Sequence, residues 1–93
     1  MKELNYFLVE WSLEVEGDEN ENEWEPVSAT GNFDQKVAES PEEAIEWVKD
    51  EIIADRVIQG DHIVSVDEDA IIYKSGYNGA LYRCIGFMAT VRG

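Results

Sequence analysis

Apolar and polar residues alternate strictly near the start of the chain: Phe7, Val9, Trp11, Leu13 and Val15 are apolar, and Glu10, Ser12, Glu14 and Glu16 fill the places between them. A two-residue period puts one set on each face of an extended chain, so the pattern predicts a long half-buried strand. Gly17 to Glu23 has no apolar residue and several turn formers, which predicts an exposed hairpin loop. A second extended segment runs from Trp24 through Val27 and Ala29 toward Phe33, with Pro26 placing it at an edge or bulge and Gly31 marking a bend.

The period then changes. Ser40-Pro41-Glu42-Glu43 combines a capping residue, a proline suited to the first helical position and a glutamate three residues after the cap. A helix is predicted from Pro41 to about Asp55 or Arg56, with Ala44, Ile45, Val48 and Ile52 as its apolar stripe. Trp47 sits at the border of that stripe, as a flank of the core or a contact residue. Beyond the helix, His62 to Val66 and Ala70 to Tyr73 read as extended, interrupted by Asp67-Glu68-Asp69. Ser75 to Gly79 is a turn cluster, and Ala80 to Arg92 reads as a strand with Leu81, Ile85, Phe87, Ala89 and Val91 on one face.

The expectation is a two-layer α+β fold of order β-β-α-β-β, an antiparallel sheet with one helix packed on one face, in a single domain spanning residues 1–93. Trp11, Leu13, Val48, Ile52, Ile85 and Phe87 are predicted to share its core.

Composition adds location and partner class. The apolar share of 44% is that of a folding chain, and no run approaches the roughly 18 to 20 apolar residues of a membrane span. Met1 to Glu10 lacks the pattern of a signal peptide, so a cytoplasmic setting is expected. The net charge is −14, and it is unevenly placed: residues 10–69 hold 20 of the 21 carboxylates with only Lys36, Lys49 and Arg56, whereas residues 70–93 hold no acid. A field of this sign repels nucleic acid and anionic membranes and steers basic partners inward. It also exceeds the roughly 2 to 8 charges that solubility asks of a small domain.

Candidate chemistry is sparse. Cys84 is the one cysteine and lies in an apolar run, which suits a buried side chain better than a reactive thiol; His62 has no second ligand beside it. Asp18, Asn20 and Asn22 imitate the first ligands of an EF-hand loop, but Glu23 stands where glycine is needed and Ala29 where the bidentate acid belongs, so a solvated hairpin tip is expected. Asp67-Glu68-Asp69 could offer carboxylates to Mg²⁺, but on a strand Glu68 points away from the other two, and a turn or bulge is the simpler use. No nucleophile paired with a base, phosphate-cradling glycine loop or metal-ligand spacing is present, so we expect neither an enzyme nor a cofactor.

Two resemblances bear on function. The run Val37-Ala38-Glu39-Ser40-Pro41-Glu42-Glu43-Ala44-Ile45 resembles the strand-to-helix junction of small mobile-element domains such as the DpnD/PcfM-like group. In size, acidity and lack of catalytic residues the chain resembles phage-encoded inhibitors of the anti-CRISPR and DNA-mimic type. The second resemblance implies an inhibitor or adaptor whose acidic surface occupies the basic, nucleic-acid-binding groove of a partner protein. On the sequence, that surface combines Glu10, Glu14 and Glu16 of the first strand with Asp18, Glu19, Glu21 and Glu23 of the loop or with Glu43, Glu46 and Asp50 of the helix, where Trp47 would be an apolar anchor. Same-face side chains on a strand recur about every 6.6 to 6.8 Å, close to every second phosphate of a DNA strand. The alternative is an accessory or oligomerisation domain that binds through a sheet edge or the less acidic C-terminal hairpin; carboxylate-based metal chemistry is a minor third.

Overall fold

The computed structural model describes residues 3–16, 23–27 and 32–92. Along them run β1 (Asn5–Glu16), β2 (Trp24–Pro26), β3 (Asn32–Ala38), α1 (Pro41–Ile58), β4 (His62–Val66), β5 (Ala70–Lys74) and β6 (Leu81–Val91). All strand pairs are antiparallel and belong to one sheet. The long β1 is its hub, flanked on one side by β3 and then β2 and on the other by β6, beyond which lie β5 and β4.

The antiparallel α+β class agrees with the alternation in the sequence, but the strand inventory differs from the expected β-β-α-β-β. The second extended segment is two strands, β2 and β3, which pair with different stretches of β1. In β2 Pro26 stands opposite Glu14 and the next bond to β1 is made by the Val27 N–H to the Leu13 carbonyl at 3.0 Å, so the N–H that proline lacks falls on the outer side of this edge strand. β4 and β5 are likewise separate strands of a hairpin, closed by the Asp67 N–H donating to the Ala70 carbonyl at 2.8 Å.

The helix starts where its capping signal places it. Ser40 is extended (φ −148°, ψ 160°), its Oγ accepts from the Glu43 N–H at 3.1 Å, and Pro41 opens the first turn. It continues past the predicted end to Ile58, with Gln59 as its C-cap. Ala44 and Val48 are buried against Phe7, Val9 and Ala38, and a second cluster gathers Ile71, Tyr73 and Cys84. Trp11 and Ile52 pack against both clusters and join them into one continuous layer under α1.

One predicted core residue is displaced. In the β1–β6 ladder Glu10 faces Met88, but Ser12 faces Ile85, so Gly86 and Phe87 together stand opposite Trp11. This is a β-bulge in β6, and Gly86 adopts the left-handed φ of +70° that such a bulge asks of its extra residue. The insertion exchanges the two faces of the strand. Cys84 before it and Phe87 after it both turn to the helix side, while Ile85 turns to the opposite face with Ser12. The unbroken period read from Leu81 to Val91 is therefore wrong at its centre, and Ile85 leaves the expected core.

Candidate functional site

The carboxylates singled out in the sequence fall on two surfaces. Because Phe7 and Val9 of β1 lie under α1, the alternate residues Glu10, Glu14 and Glu16 belong to the face turned away from the helix. Glu46 and Asp50 are exposed on α1, and Glu43 is half-buried in its first turn. The strand row and the helix row are thus on opposite sides of the sheet and cannot meet one flat partner together. Asp18, Glu19 and Glu21, with the rest of the calcium-like loop up to Asn22 and its last position Ala29, lie outside the described residues; Glu23 is exposed immediately before β2. Trp47 is 44% exposed and packs in neither core cluster.

On the helix side, Glu42, Ile45 and Glu46 of α1 meet Glu68 and Asp69 of the β4–β5 turn and Gly86 and Phe87 of the bulge around a cleft of about 400 Å³. Four carboxylates rim it over an apolar floor. In the sequence Glu68 and Asp69 belong to an acidic triplet between two extended runs, which suggests a turn or carboxylates for Mg²⁺ but not their meeting with Glu42 and Glu46. Beneath the cleft Lys49 is buried, its Nζ donating to the carbonyl oxygens of Asp67 at 2.8 Å and Glu68 at 3.1 Å and lying 6.0 Å from the Phe87 ring centroid. It ties the turn to the helix and, among the described residues, holds no carboxylate.

The helix-free face has a different character. Glu14 Oε1 accepts from Arg83 Nε at 2.6 Å, and the Arg83 guanidinium lies 4.5 Å from the Trp24 ring centroid. Further along, β3 turns Phe33 and Val37 to this face, where they stand opposite Glu10 and Tyr6, and Tyr6 donates to Gln35 Oε1 at 2.6 Å. Met88 of β6 flanks Glu10 from the other side. Tyr6, Phe33, Val37 and Met88 are all substantially exposed.

Four of the six described Lys and Arg side chains are committed, while Lys74 and Arg92 are exposed and have no ion pair among the described residues. Lys36 bridges Glu51 and Asp34, Arg56 bridges Asp55 and Asp61, Arg83 holds Glu14, and Lys49 is spent on carbonyls. The hydrogen bond to Glu51 is the main reason the Lys36 ammonium is held above its ordinary value; the bond to Asp55 does the same for Arg56. Glu10, Glu42, Glu46, Asp50, Glu68 and Asp69 have no ion-pair partner among the described residues.

Burial pushes the Cys84 thiol up to about 11, so it is a neutral packing group at physiological pH rather than a nucleophile. His62 is exposed on β4, and among the described residues no group of three or more His, Cys, Asp or Glu is arranged to hold a metal ion. No helix among the described residues is long and apolar enough to cross a membrane. Comparison with protein-family models, with curated proteins and with solved structures found no match for this chain.

Proposed function

We propose that this is a non-enzymatic protein-binding domain whose partner is basic, of the kind whose positive groove otherwise holds nucleic acid, and that it acts as an inhibitor of the phage or mobile-element type in the cytoplasm. The observation that carries this reading is the one-sided commitment of charge. Lys36, Arg56 and Arg83 are consumed in pairs and Lys49 is buried, so among the described residues only Lys74 and Arg92 remain to offset the unpaired carboxylates, which lie on both sides of the sheet. Exposed charges of one sign raise association rates with oppositely charged partners and do little for fold stability.

The test is the binding of a captured basic protein, measured as association rate against salt and against added nucleic acid. The rate should fall steeply with ionic strength, and nucleic acid held by the partner should compete. Glu10→Lys and Glu46→Lys are the informative reversals, because Glu14 is tied to Arg83 and reversing it would set two cations together. Equal binding by the reversed and wild-type proteins, with no competition by nucleic acid, refutes the reading.

A second reading, an accessory or oligomerisation domain, is favoured by the exposed apolar residues of the helix-free face. Its route would be that face or the open edges at β3 and β4. The C-terminal hairpin supplies no edge, since β6 is paired on both sides and β5 is covered by β4. Association that is indifferent to salt would favour this alternative.

A further inference from the structure

An antiparallel sheet with a helix on one face and water on the other ordinarily turns apolar residues inward and polar ones outward. Most of β3 does the reverse, although Gln35 faces outward and Ala38 at its end is buried under α1 in the ordinary way. The register of β3 against β1 sets Asn32, Asp34 and Lys36 on the helix side, where Lys36 reaches Glu51 of α1, and sets Phe33 and Val37 on the open side. Phe33 is 67% exposed and Val37 45%. The neighbouring strands continue this apolar surface with Tyr6 and Leu8 of β1 and with Met88, which is 58% exposed, of β6. An inverted strand gains nothing for the fold by exposing a phenylalanine, so its apolar side chains are explained by a surface that covers them.

The charge at the centre of this patch says what kind of surface. Glu10 stands directly opposite Phe33 on one side and Met88 on the other, so three adjacent strands present an aromatic ring, a carboxylate and a thioether in one row. Directly opposed side chains have Cβ atoms about 4.5 to 5.5 Å apart. Glu10 has no ion-pair partner among the described residues, although Glu14 on the same face has Arg83. A carboxylate between two apolar side chains fits a guanidinium or ammonium whose stem lies on the ring and the thioether. Arg92, exposed and without an ion pair among the described residues, continues β6 opposite Tyr6 at the end of the patch, and Glu10 is the unpaired charge at its centre.

We propose that the helix-free face at Tyr6, Leu8, Glu10, Phe33, Val37 and Met88 docks a basic amphipathic segment of a partner protein, with one of its arginine or lysine side chains seated on Glu10. This rests on the basic-partner reading and assigns the contact to the sheet rather than to the acidic cleft beside α1. The test uses the whole chain and a synthetic amphipathic helix of leucine and arginine, about 18 residues and about 27 Å long, beside the same peptide with glutamine replacing arginine. Calorimetry measures affinity and backbone amide NMR locates the contact. The arginine peptide should shift the amides of β1, β3 and β6, and Glu10→Gln and Phe33→Ser should each weaken it on the order of tenfold. Glu10→Gln changes an exposed side chain by one atom and so keeps the fold.

If the shifts fall instead on α1 and residues 67–69 and both variants bind as the wild type does, this assignment is overturned while the basic-partner reading stands. Equal binding of the glutamine peptide at the sheet face overturns the proposal together with that reading. Absence of binding, or a wild-type dimer in sedimentation that Phe33→Ser abolishes, also overturns it.

Discussion

Ser40 and Cys84 show how single residues carry terms that can be measured separately. The Ser40 hydroxyl satisfies the Glu43 N–H, one of the orphan donors of the first helical turn. Ser40→Ala should cost about 0.5 to 2 kcal/mol in chemical denaturation, and an unchanged midpoint would show that the cap is idle. Cys84 sets a pH dependence. Its pKa is raised from 9.0 to about 11 in the fold, so the stability it contributes is complete below about pH 9 and is lost as pH rises toward about 11. The loss amounts to about 2 to 3 kcal/mol at most. Tyr73, raised by its own burial, and Lys36 act in the same direction, but from the higher ordinary values of 10.0 and 10.5. Between about pH 8 and pH 10 the melting temperature of Cys84→Ala should therefore fall less than that of the wild type; parallel curves would show that the buried thiol is not responsible.

At the scale of elements, the bulge in β6 and the end of α1 decide which residues meet. A Cβ built at Gly86 meets nothing within 4 Å, so replacing it tests backbone strain alone. Gly86→Ala should cost about 1 to 2 kcal/mol and Gly86→Asn less, since asparagine tolerates the left-handed region better. Equal stability of all three proteins in urea would mean that β6 can shift its register without penalty. The helix end is tied down by Asp61, whose carboxylate accepts from the Gly76 N–H at 2.9 Å and pairs with Arg56 at 3.2 Å. Gly76 is required there by contact: a Cβ on it would lie 2.2 Å from the Gly60 carbonyl oxygen. Together these contacts hold the β5–β6 turn against the C-terminus of α1, at the opposite end of the helix from the acidic cleft.

The whole molecule is elongated, 51 by 25 by 19 Å, because β1 and β6 are long and lie side by side. Most of its −14 charge is spread over a narrow body with few cations free to offset it. Mutual repulsion should make the fold itself sensitive to salt. The melting temperature should rise by several degrees between about 0.02 and 0.5 M sodium chloride, as the Debye length shrinks from about 20 to 4 Å. A flat or falling response would mean that the carboxylates are far enough apart to ignore one another, and would weaken the case for a concentrated acidic field.

The alternation of Phe7 to Val15, the capped helix after Ser40 and the turn at Ser75 to Gly79 were legible without coordinates, because each rests on contacts between residues close in sequence. The same holds for burial of Cys84 and for the division of β1 into an apolar row and a glutamate row. What the chain order could not show is which rows meet. The β6 bulge depends on register against β1, so period two carried Ile85 to the wrong face. Inversion of β3 depends on which of its sides faces α1, which no local pattern in Asn32–Ala38 reveals. The grouping of Glu42 and Glu46 with Glu68 and Asp69, and the separation of Glu46 from Glu10, likewise follow from packing a helix on one side of a sheet. Residue type and spacing determined the elements and the sign of the charge; pairing across long loops decided how that charge is divided between two faces and which apolar side chains are left in the open.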